Sequence, residues 1–219
     1  MESPIVEEYL EAIYKLQSDD RPLGTTELGR SLNVSAPSAD QMVNRLSEKG
    51  LVRRGRDRGI RLTQDGEREA LQLIRKHRLS ERFLVDVLGL DWKDVHDEAC
   101  KFEHILSTEV ETRMSEMLCN PATCPHGHPI PGVDGTVALE AATPLSEMKQ
   151  GSTAVIARIG EEKRDLLEYL ATLGMMPGRR VRIEQIAPFR GPMLVDVDGA
   201  TYALGREVAE KILVKETTT

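Results

Sequence analysis

The chain has 219 residues, 40% of them hydrophobic and 30% charged, and carries a formal net charge of −7. That length allows one large domain or two to three small ones, each with a core of its own. The acidic balance excludes a protein that binds nucleic acid over its whole surface, so a DNA-binding face has to be local; the lack of any apolar run of membrane length excludes a spanning helix, and three cysteines (Cys100, Cys119 and Cys124) form no even disulfide framework.

The first stretch, MESPIVEEYLEAIY, is acidic and amphipathic rather than a signal peptide. Together with free thiols this makes a cytoplasmic protein the expectation, with no membrane partner. The Asn33-Val34-Ser35 sequon is accordingly read as chance. Residues 4–17 place Ile5, Tyr9, Leu10, Ile13, Tyr14 and Leu16 at helical spacing. Glu7, Glu8 and Glu11 fill the other side. Acids near a helix N-terminus stabilise it by roughly 0.3–1 kcal/mol each, and by itself that reading outweighs one of carboxylate ligands.

Residues 25–32 predict a short helix capped by Thr25 or Thr26. Ser35 is expected to cap the next helix, residues 36–49, with Pro37 in its first turn and Gly50 at its end. Two short helices joined by a tight turn make a helix-turn-helix. Two short strands follow around a basic turn, Leu51 and Val52 and then residues 60–62, which is a wing. From Arg45 to Arg61 there are seven basic residues (Arg45, Lys49, Arg53, Arg54, Arg56, Arg58 and Arg61) against Glu48 and Asp57, a local +5 in an acidic chain. Beside a helix-turn-helix, that run reads as a phosphate-contacting patch.

Residues 67–88 predict a long amphipathic helix carrying His77 and Glu81 one turn apart. A helix is expected to resume over residues 92–118, and it contains HDEACKFEH. There His96, Cys100, Glu103 and His104 share one helical face and offer two imidazoles, a thiol and a carboxylate, the donor set of a divalent transition metal. The apolar positions around them suit helix packing or a dimer interface. The loop CNPATCPHGHPIPGV adds Cys119, Cys124, His126 and His128. Its spacing matches no closed zinc ribbon, so metal site and plain linker both stand. A linker over residues 135–142 leads into alternating β-branched segments with one short helix at 163–173, a small β-barrel. No P-loop, dinucleotide fingerprint or nucleophile elbow is present, and neither an enzyme nor a small-molecule substrate is expected. A metal-storage or trafficking protein is the lesser alternative, because it has no use for a helix-turn-helix and a basic wing.

On YLEAIYKL, the helix-turn-helix, RKHRLSERFL, VHDEACKFEHILS, HPIPG and the C-terminal β segments, in that order, the chain resembles the diphtheria toxin repressor family, metal-dependent bacterial repressors of iron and manganese genes. The resemblance covers nearly the full length, and residues 75–106 are its most specific stretch. It implies a mainly α protein with a winged helix-turn-helix DNA-binding domain (1–73), a helical metal-binding and dimerisation domain with linker (74–142) and a C-terminal SH3-like barrel (143–219). It implies a regulatory site of Glu8, Cys100, Glu103 and His104, with Glu11 nearby, and an ancillary site of His77, Glu81 and His96. Some relatives complete a second site with a Cys-x-His pair, matched here by Cys124 and His126, and an acid, for which Glu161 or Glu162 stands. DNA contacts would come from Ser35, Pro37, Ser38 and Gln41, with Thr25, Arg45 and the wing arginines around them.

The chain departs from both family types. Iron-type members carry Met at the Glu8 position, and manganese-type members carry Glu at the Cys100 position. Fe²⁺ tolerates a thiolate and an extra carboxylate together, so Fe²⁺ or Mn²⁺ is expected, in two sites per chain, with Co²⁺, Ni²⁺, Zn²⁺ or Cd²⁺ as substitutes. The expected activity is metal-dependent repression by a homodimer on palindromic double-stranded operator DNA, its recognition helices about 34 Å apart.

Overall fold

The computed structural model describes residues 3–17, 21–55, 59–138 and 140–217. The chain divides into two compact units: Met1–His77 with Pro131–Thr136, and Arg78–Ile130 with Val137–Thr219.

In the first unit, α1 (Pro4–Leu16) opens with Pro in its first turn, where the missing N–H costs nothing. It buries Val6, Tyr9, Leu10 and Ile13. These meet Leu28, Val43 and Leu46 from α2 (Thr25–Ser31) and α3 (Ala36–Glu48), and Val52, Ile60 and Leu62 from the wing strands, in one core. Neither Thr25 nor Thr26 caps α2. The cap position is Gly24, with no side-chain bond, because Leu23 is held extended by its bridge to Ile60 and the helix can start only after it. Ser35 does cap α3, accepting from the Ser38 N–H at 3.2 Å. The turn between these helices is tight: a Cβ on Gly29 would lie 2.9 Å from the Val34 carbonyl oxygen. The wing is an antiparallel pair, β1 (Val52–Arg54) and β2 (Ile60–Leu62), with Val52 opposite Leu62. Helix α4 (Gln64–Asp86) follows, and the division between the units falls within it.

The second unit holds the end of α4, then α5 (Val95–Glu103) and α6 (Thr108–Met117). The single helix expected over residues 92–118 is broken. His104 ends α5, and Ser107 starts α6 by accepting from the Val110 N–H at 3.3 Å, a cap that competes with helix continuation. The loop after α6 reverses on two left-handed residues, Cys119 and Asn120, and then folds back so that Thr123 bridges Pro129.

From Thr143 the chain forms a six-stranded antiparallel sheet in the order β3-β8-β4-β5-β6-β7: β3 (Thr143–Pro144), β4 (Thr153–Ile159), β5 (Arg180–Ile186), β6 (Met193–Val197), β7 (Ala200–Leu204) and β8 (Ile212–Glu216). Helix α7 (Arg164–Thr172) crosses between β4 and β5, and the short α8 (Arg206–Ala209) precedes β8. Alternate residues of the central strands point inward, such as Ala154, Ile156, Val181, Ile183, Val195 and Val214. Trp92 joins that core. Among the described residues no helix is long and apolar enough to cross a membrane.

Candidate metal centre and DNA-binding face

The second unit concentrates titratable side chains at one point. Glu81 comes from α4 and is fully buried. His96 comes from the first turn of α5 and Glu162 from the segment between β4 and α7. Cys124 and His126 come from the loop after α6, both buried. His96 Nδ1 lies 3.0 Å from Glu162 Oε2 and 3.4 Å from Glu81 Oε1. His126 Nδ1 lies 3.3 Å from the same Glu81 oxygen and 3.7 Å from Glu162 Oε1, with Cys124 Sγ at 4.0 Å. The donor atoms of Glu81, Cys124, His126 and Glu162 all fall within 4.8 Å of one another.

The loop is held in this shape from both sides. Arg82 donates to the Thr123 carbonyl at 2.8 and 3.0 Å and to the Cys124 carbonyl at 3.1 Å, and Arg78 donates to the Pro129 carbonyl at 2.6 Å. On the other side, the Ile159 N–H donates to the His126 carbonyl at 3.0 Å. Gly127, at φ +87°, lets that approach happen, since a Cβ there would sit 2.1 Å from the Ala157 carbonyl oxygen. Residues 119–130 are therefore a folded part of the unit and no tether.

Hydrogen bonds also orient the imidazoles. His126 Nε2–H donates to the Trp92 carbonyl at 2.8 Å, which leaves Nδ1 as the atom turned to the carboxylates. His128 Nε2–H donates to the Ile159 carbonyl at 2.8 Å and lies 3.3 Å from Glu162 Oε1, so His128 steadies Glu162.

Burial works against a charged His126, but the hydrogen bond and charge of Glu81, and then the charge of Glu162, outweigh it and hold its pKa above the ordinary value. Burial likewise raises Glu162, but the His96 hydrogen bond leads a set of contacts that bring it down to about 2. Burial, and then the charges of Glu81 and Glu162, push the Cys124 thiol well up. Without an ion, the raised pKa values keep Cys124 towards its neutral thiol and His126 towards its charged form beside the two carboxylates. A divalent cation would offset this negative charge at one point and meet donors of suitable type and spacing. The residues present fit a metal.

The other metal candidates sit as follows. Cys100 Sγ lies 3.9 Å from His96 Nε2, one helical turn away. Glu103 is buried, and His104 Nε2 lies 3.5 Å from its Oε1. His96 faces Glu81 and Glu162 and also shares a ligand set with Cys100, whereas Glu103 and His104 join no set among the described residues. Glu161 pairs with Lys163 at 2.5 Å and Lys211 at 3.0 Å, so of the two acids it is Glu162 that joins the cluster. Glu8 and Glu11 lie on α1 of the first unit, Glu8 exposed and Glu11 paired with Lys15 at 2.8 Å. His77 is buried one turn before Glu81 on α4 and belongs to the first unit. The sequence counted His128 among the four potential ligands of this loop; the structure sets it against the Ile159 carbonyl and beside Glu162, and the ligand sets among the described residues do not include it.

In the first unit, Ser35, Pro37, Ser38, Gln41 and Arg45 are exposed along α3, and Thr25 is half-buried at the start of α2. Arg53 is exposed on the wing. Arg54 is turned onto α3, where it meets Asp40 at 2.5 Å and Asn44 at 3.4 Å. Arg56 and Arg58 lie outside the described residues.

Fold and cluster together define a winged-helix DNA-binding protein with a largely buried thiol–imidazole–carboxylate cluster of the kind that fits a metal. Three family models match in succession: the DNA-binding domain of iron-dependent repressors over residues 1–60, their metal-binding and dimerisation domain over 63–132, and the FeoA domain over 143–216. The iron-dependent repressor IdeR of Mycobacterium tuberculosis is 36% identical over 222 residues, 96% of each chain. The diphtheria toxin repressor of Corynebacterium glutamicum is 39% identical over 221 residues, covering 96% of this chain and 95% of that one. A manganese-dependent transcriptional repressor in complex with manganese superposes with a TM-score of 0.89 at 36% identity, over 97% of this chain and all of that one. The chain belongs to the diphtheria toxin repressor family of metal-dependent transcriptional repressors.

Proposed function

We propose that this repressor takes Fe²⁺ as its effector, with Mn²⁺ as the alternative, and then binds a palindromic operator as a homodimer to control metal-homeostasis genes in the cytoplasm. It acts as a regulator and not as an enzyme. The observation that carries the reading is the set of buried Glu81, Cys124 and His126 with half-buried Glu162, in a chain that also presents a helix-turn-helix. Fe²⁺ suits a set that mixes thiolate, imidazole and carboxylate. The Mn²⁺ alternative is supported by the solved relative described as a manganese complex. The domain limits we assign are 1–73, 74–142 and 143–219.

When bound, the ion supplies a fixed positive charge on which carboxylates, imidazoles and a thiolate converge. Cys100, Glu103 and His104 serve the regulatory ion, and Cys124 gives up its proton at the second site. In DNA binding, Ser35, Pro37, Ser38 and Gln41 meet base edges and phosphates, and Arg45 and Arg53 meet phosphates. Exposed Ile105, Val110 and Met117 in the second unit supply apolar surface for a second copy. By linkage, whatever factor metal adds to DNA affinity, DNA adds to metal affinity. A mobility-shift assay on operator DNA under anaerobic conditions tests this: binding should require Fe²⁺ or Mn²⁺ and reverse with chelator. Equal binding with and without metal would remove the effector role.

A further inference from the structure

The sheet of the second unit has two edges, and they are finished differently. At one edge β3 has only two residues, and the second is Pro144, which offers no N–H. The other edge is β7, five residues from Ala200 to Leu204 with neither proline nor charge among them. Its hairpin with β6 closes on Val197 and Ala200 around two left-handed residues, Asp198 and Gly199. In such a two-residue hairpin the closing pair is hydrogen-bonded, and so is every second pair beyond it, here Val195 with Tyr202 and Met193 with Leu204. Thr201 and Ala203 therefore aim N–H and C=O away from β6, to the side where the sheet order ends, and both residues are exposed. Beside the Leu204 end, the β5–β6 turn holds Phe189 fully exposed, and Phe189 and Arg190 are both left-handed, at φ +58° and +57°. A bulky residue is a rare occupant of that region. Arg206 ties this turn to the end of β7 by donating to the Gly191 carbonyl at 3.2 Å. Asp198 marks the opposite end of the strand.

We propose that β7 is a self-association edge, which pairs antiparallel with β7 of a second copy about a two-fold axis at Tyr202. Thr201 of each copy then faces Ala203 of the other, and hydrogen bonds across these pairs satisfy the backbone groups that both residues turn outward. The edge suits its own copy because it complements itself. The axis sets the Phe189–Arg190 end of one copy beside the Asp198 end of the other, cation against anion, and gives the exposed ring a neighbour. The uncharged strand meets its own copy without like-charge repulsion. This surface is separate from Ile105, Val110 and Met117 of the helices, so one chain can use both. The proposal goes beyond the metal-dependent repressor reading and does not depend on it. An edge of five residues is a small contact, which places the association in the weak, transient class.

The test is sedimentation velocity of the metal-free, full-length chain from about 1 µM to about 1 mM, a range that covers weak association. The wild type should show a last doubling in mass at the high end. Ala203→Pro deletes an outward N–H in each copy and no bond of the β6 ladder, and should abolish that doubling. Ala203→Ser keeps the N–H and should keep the doubling. Phe189→Asn removes the ring, and Asn accepts a left-handed backbone, so this variant should fold as well as the wild type and still lose about tenfold in association affinity. The single tryptophan, Trp92, lies in the core of this sheet, and its fluorescence checks that each variant is folded. If Ala203→Pro does not fold, Phe189→Asn decides alone. A doubling that survives either variant unchanged overturns the assignment. A wild type without the doubling overturns it as well, and leaves the edge to a strand of another protein.

Discussion

The helix-turn-helix draws its side chains from one run of thirty residues, Thr25 to Arg54, whereas the metal cluster draws its from four separate places: α4, α5, the loop after α6 and the exit of β4. The first is assembled by rules that act between near neighbours: the Ser35 cap, the tight turn at Gly29, the stop at Gly50. The second exists only once sheet and helices have packed, and its loop is shaped by arginines some forty residues distant in sequence. A locally built site should therefore fail through backbone fit, and a tertiary one through loss of ligands or charge balance. The two should fail independently.

The largest separation should come from Glu81→Ala. It removes the carboxylate shared by both imidazoles, so in a Cys100→Ser background, which silences the regulatory position, the stabilisation that metal gives the protein should vanish. For an ion present at a thousandfold above its Kd that stabilisation is about 4 kcal/mol. Thermal melts with and without Mn²⁺ measure it. An unchanged rise in Tm would take Glu81 out of the centre.

Gly29→Val attacks the other region. Its side chain would press on the Val34 carbonyl, at an expected cost of about 1–3 kcal/mol. Operator binding should fall while metal stoichiometry stays as in the wild type. A parallel loss of metal would show that the two sites are not independent.

Gln41→Ala should cost roughly 1–3 kcal/mol at one operator base pair, if compared across a set of single-base variants, with no change in metal binding. Uniform weakening at every position would make Gln41 a phosphate contact.

Acidity should act on the metal region alone. Cys124 has a raised pKa and must lose its proton to ligate, so affinity at its position should fall about tenfold for each unit of pH decrease, with a proton released per ion bound. Calorimetry in buffers of different ionisation enthalpy reads that proton. In metal-free protein, His126 works in one direction: its raised pKa contributes stability at low pH that is lost as pH rises through the folded value. A pH-independent metal affinity would mean that Cys124 does not ligate.

The smallest effect should be Arg53→Ala, which removes one exposed wing charge and should shift the slope of log affinity against log salt by about one, equally for cognate and random DNA. A loss confined to the cognate operator would make Arg53 a base reader.

By itself the sequence determined the elements whose signals lie within a few residues of each other. Helical spacing placed α1, α3 and α4 to within a few residues, and the cap at Ser35 and the wing pair followed from local chemistry. The presence of thiols, imidazoles and acids was equally plain, as was the likeness of their order to a repressor family. Tertiary structure decided the rest. It started α2 at Gly24 because Leu23 is tied to Ile60, and it split the helix expected over 92–118 at Ser107. It turned Arg54 away onto Asp40. It chose Glu162 over Glu161, since one carboxylate leaves β4 towards His96 and the other towards Lys163 and Lys211. Two adjacent, chemically identical side chains are told apart only by which way the backbone leaves the strand, and that is set by hydrogen bonds to residues distant in sequence.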